Sequence, residues 1–173
     1  MSGWQCRPRG GIAPALRDWL CEPGSLTARL KRRGAFRIEL LRQELRHANA
    51  DECAALGIRP RTPCWVREVA LYCDAQPAIF AHTVLPAAPQ GVLGRWFARL
   101  GTRSLGSLLF AHPGFVRGGL AFARIDARHP LFAAAVAALG RPPAGFHARR
   151  CTHRFGRQTV LVTEVFSPRL GSR

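Results

Sequence analysis

Cys64–Cys73 (CWVREVALYC), Asp74–Pro77 (DAQP) and Ala78–Leu85 (AIFAHTVL) are a run of β-formers, a short turn and a second run. That order predicts an antiparallel hairpin. Upstream, Phe36–Leu45 predicts another strand, with Phe36, Ile38 and Leu40 on one parity. Before it, Ile12, Leu16, Trp19 and Leu20 share a helical face, Pro23-Gly24 breaks the helix, and Ser25 caps a second one carrying Leu26 and Leu30. The stretch through Asn49, Asp51 and Glu52 reads as a polar connection. Downstream, 91–100 and 104–110 predict a second helical pair, and 115–126 a strand bulged at Gly118-Gly119. Residues 130–139 predict a helix ended by Gly140 and Pro142-Pro143. Two last strands, 147–155 and 159–166, turn at Gly156-Arg157. Six strands and about five helices describe an α+β domain with a mostly antiparallel sheet and helices on one face. The domain is expected over residues 11–168, between a flexible tail at 1–10 and a short tail at 169–173.

The chain of 173 residues fits one domain with its own core. No apolar run is long enough to span a membrane, and residues 1–20 carry no signal-peptide pattern, so a cytoplasmic protein is expected. The net charge is +16, and of 26 basic residues only Lys31 is a lysine. Such a field attracts anions. The basic residues are spread along the chain and form no known module, so nucleic acid is not the expected partner. The six cysteines contain no C-x-x-C pair, and acidic residues are few, so no metal site is expected and the thiols are read as free.

Two charged residues stand where apolar ones belong. Arg67 shares strand parity with Trp65, Val69 and Leu71, and Glu164 shares it with Val160, Val162 and Phe166. A guanidinium on an apolar face keeps its proton and needs an anion. One reading is an internal Arg67–Glu164 salt bridge. The other is a polar ligand, its carboxylate gripped by Arg67 and its hydroxyl bonded to Glu164. His82, His112, His147 and His153 have no partner identifiable from sequence.

Several segments, in order from about residue 12 to residue 168, resemble the chorismate lyase family. They are Asp18-Trp19-Leu20, WVREVALYCDAQPAIFAHTVLP (65–86), LGSLLF (105–110) and VLVTEVFSP (160–168). The resemblance implies a six-stranded antiparallel sheet and a buried pocket under two helix-turn-helix flaps, which match residues 16–33 and 91–110. It implies conversion of chorismate to 4-hydroxybenzoate and pyruvate, the opening step of ubiquinone synthesis in many bacteria, without metal or organic cofactor. It also implies site residues: Arg67 and the Leu105 backbone N–H for the ring carboxylate, Glu164 and a backbone contact at Leu26 for the ring hydroxyl. His82 stands where the family pattern has a second arginine. Arg149 and Arg150 keep the arginines of a stretch that otherwise departs, His147–Cys151. These three are candidates for the second carboxylate. The stretch 127–144 reads as a surface insertion. A monomer is expected.

Two other classes of function are open to such a sequence. A non-catalytic binding domain of this fold, like the effector domains of one class of bacterial regulators, would leave no room here for the DNA-binding domain those regulators carry. A nucleic-acid binder would bind any duplex with strong salt dependence.

Overall fold

The computed structural model describes residues 3–88, 92–142 and 144–172. Residue 91 of the expected second flap, Pro143 and the outermost tail residues fall outside that description. The hairpin forms as expected. Strand β2 (Pro63–Cys73) and β3 (Gln76–Pro86) pair in antiparallel register. Asp74 at their turn has φ 55°, a left-handed conformation that Asp tolerates better than most residues. Its carboxylate also accepts from the Ala35 N–H at 2.9 Å, tying the turn to the start of β1 (Phe36–His47).

The remaining strands are β4 (Phe115–Arg117), β5 (Ala121–Ile125), β6 (Phe146–Phe155) and β7 (Gln158–Phe166). The sheet order is β1-β2-β3-β7-β6-β4, with β5 also on β6, and every pairing is antiparallel. Among the described residues there are seven strands where six were expected. Gly118-Gly119 breaks the run 115–126 outright instead of bulging it, and the two pieces pair separately with β6.

Helices cover both faces, not one. On the inner face lie α1 (Pro14–Leu20) and α2 (Leu26–Arg33), packed on Val69, Leu71, Ile79 and Phe166. On the same face α3 (Val92–Ala98) and α4 (Leu105–Ala111) pack on Leu85, Val160 and Val162. The outer face is covered by α5 (Ala50–Leu56) and α6 (Phe132–Leu139). Helix α5 replaces the polar connection. Asn49 accepts from the Glu52 N–H at 2.9 Å while Glu52 accepts from the Asn49 N–H at 3.0 Å, a capping box. Helix α6 is no surface insertion either. Ala135 and Leu139 are buried against Phe80, Phe146, Ala148 and Val165. This strand parity is apolar on its own account, so it needs a cover.

The ends are docked. Trp4 donates to Asp51 at 2.9 Å and lies under the Arg150 guanidinium, and Gln5 bridges to Phe122. Pro168–Gly171 forms a 3-10 turn that buries Leu170 among the residues of α1. Among the described residues no helix is long and apolar enough to cross a membrane.

His82 lies on the outer parity, buried between two carboxylates. Its Nδ1 is 3.0 Å from Glu68 and its Nε2 is 2.9 Å from Glu52. Burial alone would lower its pKa, but the two glutamates outweigh burial and raise it to about 9. The group therefore stabilises the fold fully below its unfolded value near 6.5, and that contribution fades as pH rises through about 9. Thermal melting from pH 6 to 10 should show a fall that begins near 6.5 and levels off above about 9, which His82→Leu lacks. A flat profile in the wild type would contradict the charged arrangement.

Candidate active site

Sheet register lays out the inner face as a grid. In one row Arg67 of β2 faces Thr83, which faces Val162, which faces Cys151. In the next row Val69 faces Ala81, then Glu164, then Arg149. Over these rows, under α2 and α4, is a cavity of about 580 Å³ counting its mouth. Its lining includes Arg67, Glu164, Leu26, Leu105, Arg149 and Arg117.

Arg67 is 2% exposed. Its Nη2 donates to the carbonyls of Gly101 at 2.9 Å and Arg103 at 3.0 Å, in the turn between α3 and α4. Its Nε is buried without an acceptor, and no carboxylate pairs with it among the described residues. Burial pulls its pKa down to about 10, which still leaves a cation at neutral pH. The internal Arg67–Glu164 bridge is therefore not formed. Glu164 Oε2 instead accepts from Arg149 Nε at 2.6 Å. Arg149, 1% exposed, also donates from Nη1 to the carbonyls of Leu20 at 3.2 Å and Glu22 at 2.6 Å. It thus aims Glu164 and holds the turn after α1.

Leu26 and Leu105 hold equivalent places. Each is the first residue of its helix, behind a serine cap. Ser25 accepts from Ala28 N–H and Ser104 from Ser107 N–H, and Thr27 and Ser104 join the two helices through hydroxyls 2.7 Å apart. First-turn N–H groups have no partner within their helix.

Two expected residues are not in the cavity. His82 and Arg150 have the opposite strand parity, so their side chains leave from the outer face. His82 is held by Glu52 and Glu68 as described, and Arg150 pairs with Asp51 at 2.5 Å. Arg149 is in the lining, but its Nε and Nη1 are already engaged. Arg117 is the cavity residue that sequence reading missed. It sits one position before the Gly118-Gly119 pair on a three-residue strand, where parity has too little length to show. With Arg67 and Arg149 it sets three guanidiniums against the one carboxylate of Glu164. His153, also in the lining, is lowered to about 4 by burial and then by Arg117 and Arg149, so it is neutral at pH 7. The cavity suits a dianion. Among the described residues no cluster of His, Cys, Asp and Glu has the arrangement of a metal site.

A model of the family described as chorismate lyase matches residues 4–173. A probable chorismate pyruvate-lyase of Dechloromonas aromatica is 55% identical over 169 residues, covering 96% of this chain and 95% of that protein. One from Aromatoleum aromaticum is 43% identical over 171 residues, covering 95% and 91%. Among solved structures, the C-terminal domain of a histidine utilization repressor from Pseudomonas syringae pv. tomato aligns with TM-score 0.58 at 10% identity, over 77% of this chain and 92% of that one. A GntR-family transcriptional regulator from Bacillus cereus aligns with TM-score 0.54 at 14% identity, over 78% and 92%. These structural likenesses are of fold alone. The sequence matches run nearly end to end, and by them the chain belongs to the chorismate lyase family.

Proposed function

We propose that this chain converts chorismate to 4-hydroxybenzoate and pyruvate, the opening step of ubiquinone synthesis, in the cavity between Arg67 and Glu164. The observation that carries the assignment of the site is the buried Arg67 guanidinium, which faces a cavity with no protein anion to meet it. From strand spacing and rise, the Arg67 and Glu164 Cα atoms stand roughly 12 Å apart on a diagonal of the sheet. A ring with a carboxylate at one end and an oxygen at the other spans the gap left between their side chains. Arg67 takes the ring carboxylate with the Leu105 N–H, and Glu164 takes the ring hydroxyl with the Leu26 N–H.

The chemistry is an elimination. The hydrogen on the hydroxyl-bearing ring carbon leaves as a proton, and its electron pair completes the aromatic ring. The adjacent carbon–oxygen bond breaks, and pyruvate departs as its enolate, to be protonated on carbon. Aromatisation drives the reaction, so the protein's part is to hold the ring and side chain in a reactive conformer with water excluded. Arg149 fixes Glu164 through Oε2, and Oε1 has no donor among the described residues, so it is open to the ring hydroxyl or the departing proton.

Purified protein given chorismate in the presence of a chelator should yield 4-hydroxybenzoate and pyruvate in equal amounts. Absence of both would end this reading. Glu164→Gln should keep most affinity for 4-hydroxybenzoate, since an amide still bonds a hydroxyl, while turnover falls by roughly 100-fold or more if the carboxylate takes the proton. Full turnover in that variant would restrict Glu164 to orienting the substrate.

A further inference from the structure

The cavity holds a cation for which the reaction described above has no use. Arg117 stands on β4 opposite His153 of β6 and lines the cavity. Its Nη1 donates to the Pro23 carbonyl, in the turn between α1 and α2. Its guanidinium also lies 5.3 Å over the Phe110 ring of α4, so one side chain touches both helical pairs. Its Nε is buried without an acceptor, and among the described residues no carboxylate pairs with it. Its neighbours supply no countercharge. Burial pushes the Cys151 thiol up, and His153 is held neutral. A buried donor on a permanent cation is costly unless an anion meets it.

We infer that Arg117 binds the second carboxylate of the substrate, that of the enolpyruvyl side chain, and so distinguishes substrate from product. The inference rests on the chorismate lyase reading. Strand order supports it. Arg67 is on β2, Glu164 on β7 two strands away, and Arg117 on β4 two strands beyond that. Arg117 also stands off the Arg67–Glu164 diagonal, two rows from Glu164 on the side of the Arg67 row, and the substrate's second carboxylate likewise branches from the ring carbon beside the hydroxyl-bearing one, off the axis from ring carboxylate to hydroxyl. Arg149 is the alternative cation, but its Nε serves Glu164 and its Nη1 serves two carbonyls. The product 4-hydroxybenzoate has no second carboxylate, so Arg117 recognises only the molecule still to be cleaved.

Arg117→Gln should raise KM for chorismate roughly 10- to 100-fold while 4-hydroxybenzoate affinity, by calorimetry, stays within about twofold. Arg117→Lys should fall between, since it restores charge without the planar fork. An unchanged KM, or a parallel loss of 4-hydroxybenzoate affinity, would overturn the inference, the latter making Arg117 a brace between helices. A second comparison needs only the wild type. 3-(Carboxymethoxy)-4-hydroxybenzoate should bind at least about tenfold more tightly than its primary amide, which differs in charge and hardly in shape. Equal binding would overturn the inference even if the variants failed to fold. Failure of the lyase reading would show differently, as a wild type that leaves chorismate intact.

Discussion

Arg67→Ala should weaken both chorismate and 4-hydroxybenzoate by roughly 2–5 kcal/mol, the range for removing one partner of a buried charge pair. Both ligands carry the ring carboxylate, so both lose the same contact. The variant also releases the Gly101 and Arg103 carbonyls from the Arg67 side chain, loosening the turn that leads into α4. Arg67→Lys should recover little, because an ammonium cannot hold two carbonyls and a carboxylate in one plane. Isothermal calorimetry with 4-hydroxybenzoate checks this. Wild-type affinity in a folded Arg67→Ala protein would make Arg67 a structural residue only.

Arg149→Ala should cost stability more than binding. It strands the Glu164 carboxylate without its 2.6 Å partner and leaves the Leu20 and Glu22 carbonyls unbonded by this side chain. Breaking such a pair costs about 3–5 kcal/mol, or a melting point lower by roughly 6–20 °C for a chain of this size. Adding Glu164→Gln should restore part of that loss, because the uncompensated charge is gone. If the double variant melted at or below the single one, the cost would come from the carbonyls and not from the stranded carboxylate.

Much of this site could be read from strand parity. Long strands repeat the two-residue alternation often enough for one misplaced charge to stand out, and that singled out Arg67 and Glu164. Parity alone did not say which charges would pair. Arg149 sits on β6 directly opposite Glu164, a register that only the folded sheet fixes. Parity also sets His82 on the outer face, against the second-carboxylate position that the family pattern implied for it. Thr83 and Ala81, its neighbours, line the cavity while His82 points away.

The missed elements have separate causes. Helix α5 announced itself by Asn49 and Glu52, a cap and its N3 partner, but seven residues are too few for a helical stripe to outweigh the polar composition. Helix α6 was expected as a helix but not as part of the core. Its Ala-rich sequence gives no strong face, and the apolar outer parity of Phe80, Phe146 and Val165 was the better sign that something must cover them.

The proposed function requires that one cavity, between Arg67 and Glu164, hold the aromatic product in a single orientation. A crystal structure of the protein with 4-hydroxybenzoate tests it most directly. The carboxylate should lie against Arg67 and the Leu105 N–H, with the hydroxyl against Glu164 and the Leu26 N–H. A reversed ring, or a molecule bound at the outer face beside His82 and Arg150, would contradict it.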